Sequence, residues 1–171
     1  MAFQGTVFLQ QGFGVVGELY TDGPYRAESF TLVSADAAYN VFGRCFTITS
    51  QGVAEAGSGG DFGFAGFLVD PKNQALNGTF AGGSLAPTLT LPNNSQAACL
   101  TMGTIIVALP AAADIGDLVV YDNTTGDLST IAPGASLPVG TTFANAVVDY
   151  YTVTVAGLAV ITVSPALVIP V

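Results

Sequence analysis

Almost no window of this chain keeps a helical hydrophobic period. Short runs with strand-like alternation follow one another instead, cut apart by glycine and proline. With 21 glycines and 9 prolines among 171 residues, no room is left for crossover helices, so parallel α/β architectures are excluded. The alternation begins at residues 3–9, where Phe3, Gly5, Val7 and Leu9 share one face and Gln4, Thr6 and Phe8 the other. Further strands are expected at 13–20, 25–33, 42–49, 64–70, 98–109, 117–122, 127–131, 143–153 and 157–163, with a brief one at 88–91. Asp22-Gly23-Pro24 suits a tight reversal, and Gly126 can supply the positive φ of a hairpin connection at 122–127. The exception is 34–40, where Ser34 or Asp36 can cap one helical turn holding Ala37 and Ala38. Residues 51–64, with Gly52, Gly57, Gly59, Gly60 and Gly63, read as a flexible loop. The pattern predicts an all-β fold. It is a single compact barrel or jelly-roll-like sandwich over residues 41–171, preceded over residues 1–40 by an extended N-terminal β segment or arm with a short helical turn.

Charge is what the chain lacks. Only 9% of its residues are charged, against roughly 25% in ordinary soluble domains. Three cations, Arg26, Arg44 and Lys72, face 12 carboxylates, for a formal net charge of -9. No basic patch can be built from three cations, which excludes nucleic acid and an anionic membrane surface as direct partners. Hydrophobic residues make up 50% of the chain. Either Ser, Thr, Asn and Gly keep a monomer soluble, or neighbours cover much of the surface. The start, MAFQGTVF, has neither a basic head nor a long apolar run, so no signal peptide is expected. The most apolar stretch, 155–171, is interrupted by Gly157, Pro165 and Pro170 and is too short to span a bilayer.

Catalytic chemistry finds few residues to use. There is no histidine, so neither a Ser-His-Asp nor a Cys-His arrangement can form. Cys45 and Cys99 lack metal-motif spacing and lie in strand-like apolar runs, which favours two buried thiols over one disulfide. Asp114, Asp117, Asp122 and Asp127 lack the rhythm of a calcium loop and read as turn-capping carboxylates. The glycine-rich pieces 14–17 and 57–60 open no helix and have no lysine placed to reach a phosphate. The sequons at Asn77, Asn93 and Asn123 read as polar loop composition. No enzyme activity, metal or cofactor is expected.

The blocks 11–49, 65–75, 83–109, 115–131, 144–153 and 156–164 together resemble, in order and spacing, the structural cement proteins of tailed bacteriophages. Gly14, Gly17, Pro24, Arg26, Asn40, Gly43, Arg44, Gly66, Pro71 and Lys72 look characteristic, and Cys45 stands at what looks like a small-residue position. The resemblance implies a non-enzymatic protein that binds the major capsid protein on the outer surface of the head and stabilises the shell. It would pass through the host cytoplasm during assembly. The resemblance offers no motif from which contact residues can be carried over.

Candidate assembly contacts come from the residues themselves. Phe3, Val7, Phe8 and Leu9 equip the N-terminal segment to pair along an exposed edge, as an arm donated to a sister subunit or the capsid; an ordinary first strand of the same domain is the alternative. Arg26 and Arg44 can each hold a carboxylate or several carbonyls, within the chain or across an interface. The composition favours self-association, as a dimer or alternatively a trimer. A competing reading is a glycan- or surface-binding β module using Tyr20, Tyr25, Tyr39, Tyr121, Tyr150 and Tyr151. These tyrosines are scattered along the sequence, and tryptophan is absent.

Overall fold

The computed structural model describes residues 14–20, 23–57, 63–70 and 90–164; the strand expected at 3–9 lies outside them. Among the described residues nine strands are observed: β1 Arg26–Thr31, β2 Cys45–Ile48, β3 Ala54–Ala56, β4 Gly63–Leu68, β5 Gln96–Leu109, β6 Leu118–Asp122, β7 Leu128–Ile131, β8 Thr141–Asp149 and β9 Gly157–Val163. Their hydrogen-bonded order is β3-β2-β4-β5-β9-β8-β6-β7, and β1 pairs with β5 beside this path. All the ladders between these strands are antiparallel. The fold is all-β, as the sequence predicts, and the one helical piece among the described residues is the 3-10 turn Ala37–Tyr39. Asp36 caps that turn by accepting the Ala38 N–H at 2.8 Å.

β5 organises the molecule. Its first half lies between β1 and β4, since Leu100 sits opposite both Ala27 and Phe67, and its second half pairs with β9. Between these halves the β1 register skips Thr101, passing from Arg26↔Met102 to Ala27↔Leu100. One extra residue reverses which side chains point inward. Leu100 lies in the larger core, and beyond the skip Ile105, Val107 and Leu109 take over that face. Without the bulge these three would point away from it.

Two cores result. The larger collects Ile105, Val107, Ala144, Ala146, Val148, Val119, Tyr121 and Ile161 together with Cys45, Phe67 and Leu100. The smaller holds Leu32, Phe42, Phe46, Ala54, Leu68, Leu91 and Cys99. Neighbouring residues of one strand therefore enter different cores: Cys45 and Phe46 in β2, Phe67 and Leu68 in β4, Cys99 and Leu100 in β5. Strands buried on both faces need close neighbours. Gly66 supplies this in β4 with φ +126, where an added Cβ would collide with the Leu100 carbonyl.

Several elements depart from the expectations. β3 falls inside the expected loop 51–64: it pairs with β2, and its Ala56 N–H donates to the Ser34 hydroxyl at 2.9 Å. Within the expected strand 13–20, the described residues 14–20 form a turn, with Glu18 N–H bonded to Val15 O, followed by a single bridge from Leu19 to Ile105. Of the brief strand expected at 88–91, Thr90 forms a bridge with Val41, and residues 88 and 89 lie outside the described residues. β8 stops at Asp149 because Tyr150 takes φ +63, which ends the alternation that the sequence carries on to 153.

A buried polar knot closes the smaller core. Asn40, with no exposure at all, donates to Leu91 O at 3.0 Å and Asn93 Oδ1 at 2.9 Å, and its Oδ1 accepts the Ser34 hydroxyl at 2.6 Å. Asn93 completes the knot by accepting Ser34 N–H and donating to Ser34 O. Buried polar groups left without partners cost about 1–3 kcal/mol each. Asn40→Ala is therefore expected to lower the unfolding free energy by about 2–6 kcal/mol, summing two such groups, with the urea midpoint as the measurement. A loss below the cost of a single group would show that water replaces the amide.

Candidate assembly surface

Of the sequence candidates, Phe3, Val7, Phe8 and Leu9 lie outside the described residues. Arg44 is held inside the chain. Its guanidinium pairs with Asp127 at 2.6 Å, donates to Thr125 O at 3.2 Å and sits 5.9 Å from the centre of the Tyr39 ring. This places the β6–β7 turn on β2, where Cys45 N–H also donates to Gly126 O at 3.2 Å. The approach leaves no space for side chains: a Cβ on Gly57 would stand 2.7 Å from Asp122 O, and one on Gly126 2.5 Å from Cys45 O. The two ends of the strand path thus meet through a turn. Arg26 stands on the exposed face of β1 and pairs with Glu28 two residues on. The two arginines are far apart in role: one is a clamp, the other a surface ion pair.

The turn itself is stapled by Asp122, whose Oδ1 accepts the N–H groups of Thr124 and Thr125, both at 2.8 Å. The Thr125 and Thr124 amides hold this carboxyl below the ordinary carboxylate range. Both cysteines are free and buried. Burial pushes the Cys45 thiol well up and the Cys99 thiol up to about 12, so neither is a nucleophile at neutral pH. Among the described residues no group of three or more His, Cys, Asp or Glu is placed to hold a metal.

The structure corrects one premise of the sequence reading, because three of the tyrosines are grouped. Tyr20 meets Tyr150 edge-on with ring centroids 5.0 Å apart and Tyr151 at 6.2 Å, and the Tyr20 and Tyr151 hydroxyls are 2.7 Å apart. That hydroxyl contact raises the Tyr20 pKa. Their 130-residue separation hid the cluster; the adjacent pair Tyr150-Tyr151 was its only trace in sequence. Exposed aliphatic residues add to the outer surface: Val15, Ile115, Leu137, Val139 and Val155. Aromatic and aliphatic side chains stand exposed on the outer surface, while both thiols are buried and Arg44 is held inside the chain. These are features of a structural protein.

Residues 3–164 match the family described as structural cement protein (E217 gp24/Pam3 gp6). The chain belongs to that family, the cement proteins of tailed phages, and is a non-enzymatic structural component of the phage head. In fold it is similar to a chain of the solved structure "The capsid of Myoviridae Phage XM1", with a TM-score of 0.60 and 17% identity, covering 98% of this chain and 100% of that one. No curated protein matches.

Because the folded pKa of Asp122 is lowered, the stability it contributes is present above the unfolded carboxylate value. It is lost as pH falls through the folded value. Asp122→Asn keeps an acceptor and removes the charge. The variant is expected to melt below the parent at pH 7, with the gap narrowing below about pH 4. A gap that is constant from pH 7 to pH 3 would show that the charge plays no part. Arg44→Lys keeps the cation and loses the fork, so it is expected to recover only part of the roughly 1 kcal/mol lost in Arg44→Ala, by chemical denaturation.

Proposed function

We propose that this protein attaches to the outer surface of a phage head, bridges major capsid subunits and stiffens the shell against expansion or disassembly. The observation that carries this reading is the family match, which runs through 3–164 and so spans every strand of the fold. The sparse charge supports it. Burying Thr, Gly and aliphatic area against a neighbour costs less desolvation than burying Lys or Glu, and repeated sites on a lattice add avidity. In this reading the body is a barrel-like sandwich, with its seam at the Gly126–Cys45 contact, and residues 1–40 form the segment that carries the arm. Phe3, Val7, Phe8 and Leu9 lie along a sister subunit or the capsid, and Arg26 remains an exposed contact. Copies pair as dimers, and the protein reaches the shell from the host cytoplasm.

The test is reconstitution. Purified protein added to heads that lack it is expected to co-sediment and to raise their melting temperature; absence of binding at micromolar concentration would overturn the reading. Deletion of residues 2–12 is expected to leave cooperative unfolding nearly intact while lowering occupancy on the heads or breaking the oligomer, read by circular dichroism melts beside sedimentation. A truncated protein that cannot fold would make the segment an internal strand instead.

A further inference from the structure

Three segments meet at one end of the molecule. Residues 14–20 run along β5 through Tyr20 N–H to Thr104 O at 3.0 Å and Ile106 N–H to Glu18 O at 2.9 Å. The β5–β6 loop and the β8–β9 loop are tied by the reciprocal bonds between Ala113 and Val153, both 2.8 Å, and Gly116 N–H reaches Val148 O at 2.9 Å. The tyrosine cluster joins the first segment to the β8–β9 loop.

We propose that this end is a docking face for a cationic protein surface, one presenting arginine or lysine, and that its partner is a different chain. Resting on the reading above, that chain is a capsid subunit. The aromatic cluster is held in place at a conformational cost. Tyr150 adopts φ +63, which a bulky side chain rarely takes, and Asp149 secures it by accepting the Tyr150 N–H at 2.8 Å. Strain that keeps rings in a core has an obvious return in packing. Here it keeps Tyr150 46% and Tyr151 42% exposed, so the return lies with something outside the chain.

Charge identifies that partner. The three segments carry Glu18, Asp114, Asp117 and Asp149 and hold neither lysine nor arginine. Some of these carboxylates accept bonds within their own loops, as Asp117 does from Asp114 N–H, yet they remain anions. Arg26, opposite Met102 on the same strand β5, is paired with Glu28. Ring faces beside carboxylates are the surroundings that attract a guanidinium or ammonium, through cation–π attraction and ion pairing together. Polyphosphates are repelled by the same face. A second copy is a poor supplier, because the chain owns three cations and two of them, Arg26 and Arg44, are paired internally. Exposed Val15, Ile115 and Val155 on the same segments provide an apolar rim.

Two variants test this without disturbing the fold: Tyr150→Asn, which tolerates positive φ and removes the ring, and Asp114→Lys, whose carboxylate caps nothing. Glu55→Lys on β3 is the charge-matched control. Binding to undecorated heads is measured by co-sedimentation in low and high salt, after circular dichroism confirms folding. The parent is expected to weaken as salt rises, each test variant to bind at least about tenfold more weakly, and the control to match the parent. Folded variants that bind like the parent overturn the proposal. A hexa-arginine peptide titrated against the protein, followed by the NMR shifts of Tyr20, Tyr150 and Tyr151, separates the two readings. Peptide binding there, with no binding to heads, overturns the capsid reading and leaves the cationic face standing; no response in either assay overturns both. Glycan binding abolished by Tyr150→Asn, with no peptide binding, would replace the cationic partner with a sugar.

Discussion

Burial of β2, β4 and the first half of β5 on both faces is the constraint from which the rest of this structure follows. A strand with one wet face can tolerate polar residues at every second position; these strands cannot. Cys45-Phe46, Phe67-Leu68 and Cys99-Leu100 are consecutive apolar pairs because each member enters a different core. A thiol suits such a place, being small, apolar and weakly demanding as a donor. The same constraint explains the bulges. β5 must serve a two-core layer in one half and a single larger core in the other, and only a skipped residue at Thr101 changes its inward set mid-strand.

Two cores also need closing, and polar groups do this where apolar ones cannot reach. The Ser34–Asn40–Asn93 knot fastens the 3-10 turn and the segment before β5 over the smaller core. The Arg44–Asp127 pair fastens the β6–β7 turn over β2. In both places the backbone approaches closely and the partners are fully satisfied; among the described residues no buried side-chain N or O lacks a partner. In so acidic a chain, committing Arg44 to this fastening has an external effect as well. Among the described residues it leaves Arg26, itself paired with Glu28, as the exposed cation.

The all-β class and most strands were legible because alternation and turn chemistry are local. β9 was read residue for residue, and the β6–β7 hairpin followed from its turn with Gly126. β3 was not legible: Ala54-Glu55-Ala56 has weak strand preference and sits among glycines, so it exists only through pairing with β2 and the Ser34 hydroxyl. The end of β8 was lost for the opposite reason. Its alternation runs on through Tyr150, and only the backbone shows the reversal. Arg44 could be named as an unusual cation but not given its partner, since Asp127 lies 83 residues away. The tyrosine cluster is a product of the same long-range pairing.

The balance of charge ranks the ways in which copies can meet on a crowded shell. At -9 per chain, two copies repel wherever their acidic faces approach, over about a Debye length of 8–10 Å at moderate salt. The span from Leu128 to Val148 carries no charge at all, and its loop from Ala132 to Gly140 is exposed throughout. Contacts made there cost no carboxylate desolvation and draw the acidic end no closer to its like. Contacts made through the tyrosine end require cations that the chain does not have to spare. Neutral surface therefore suits like partners and acidic aromatic surface suits unlike ones. A single chain with very few charges can in this way keep the two kinds of neighbour apart.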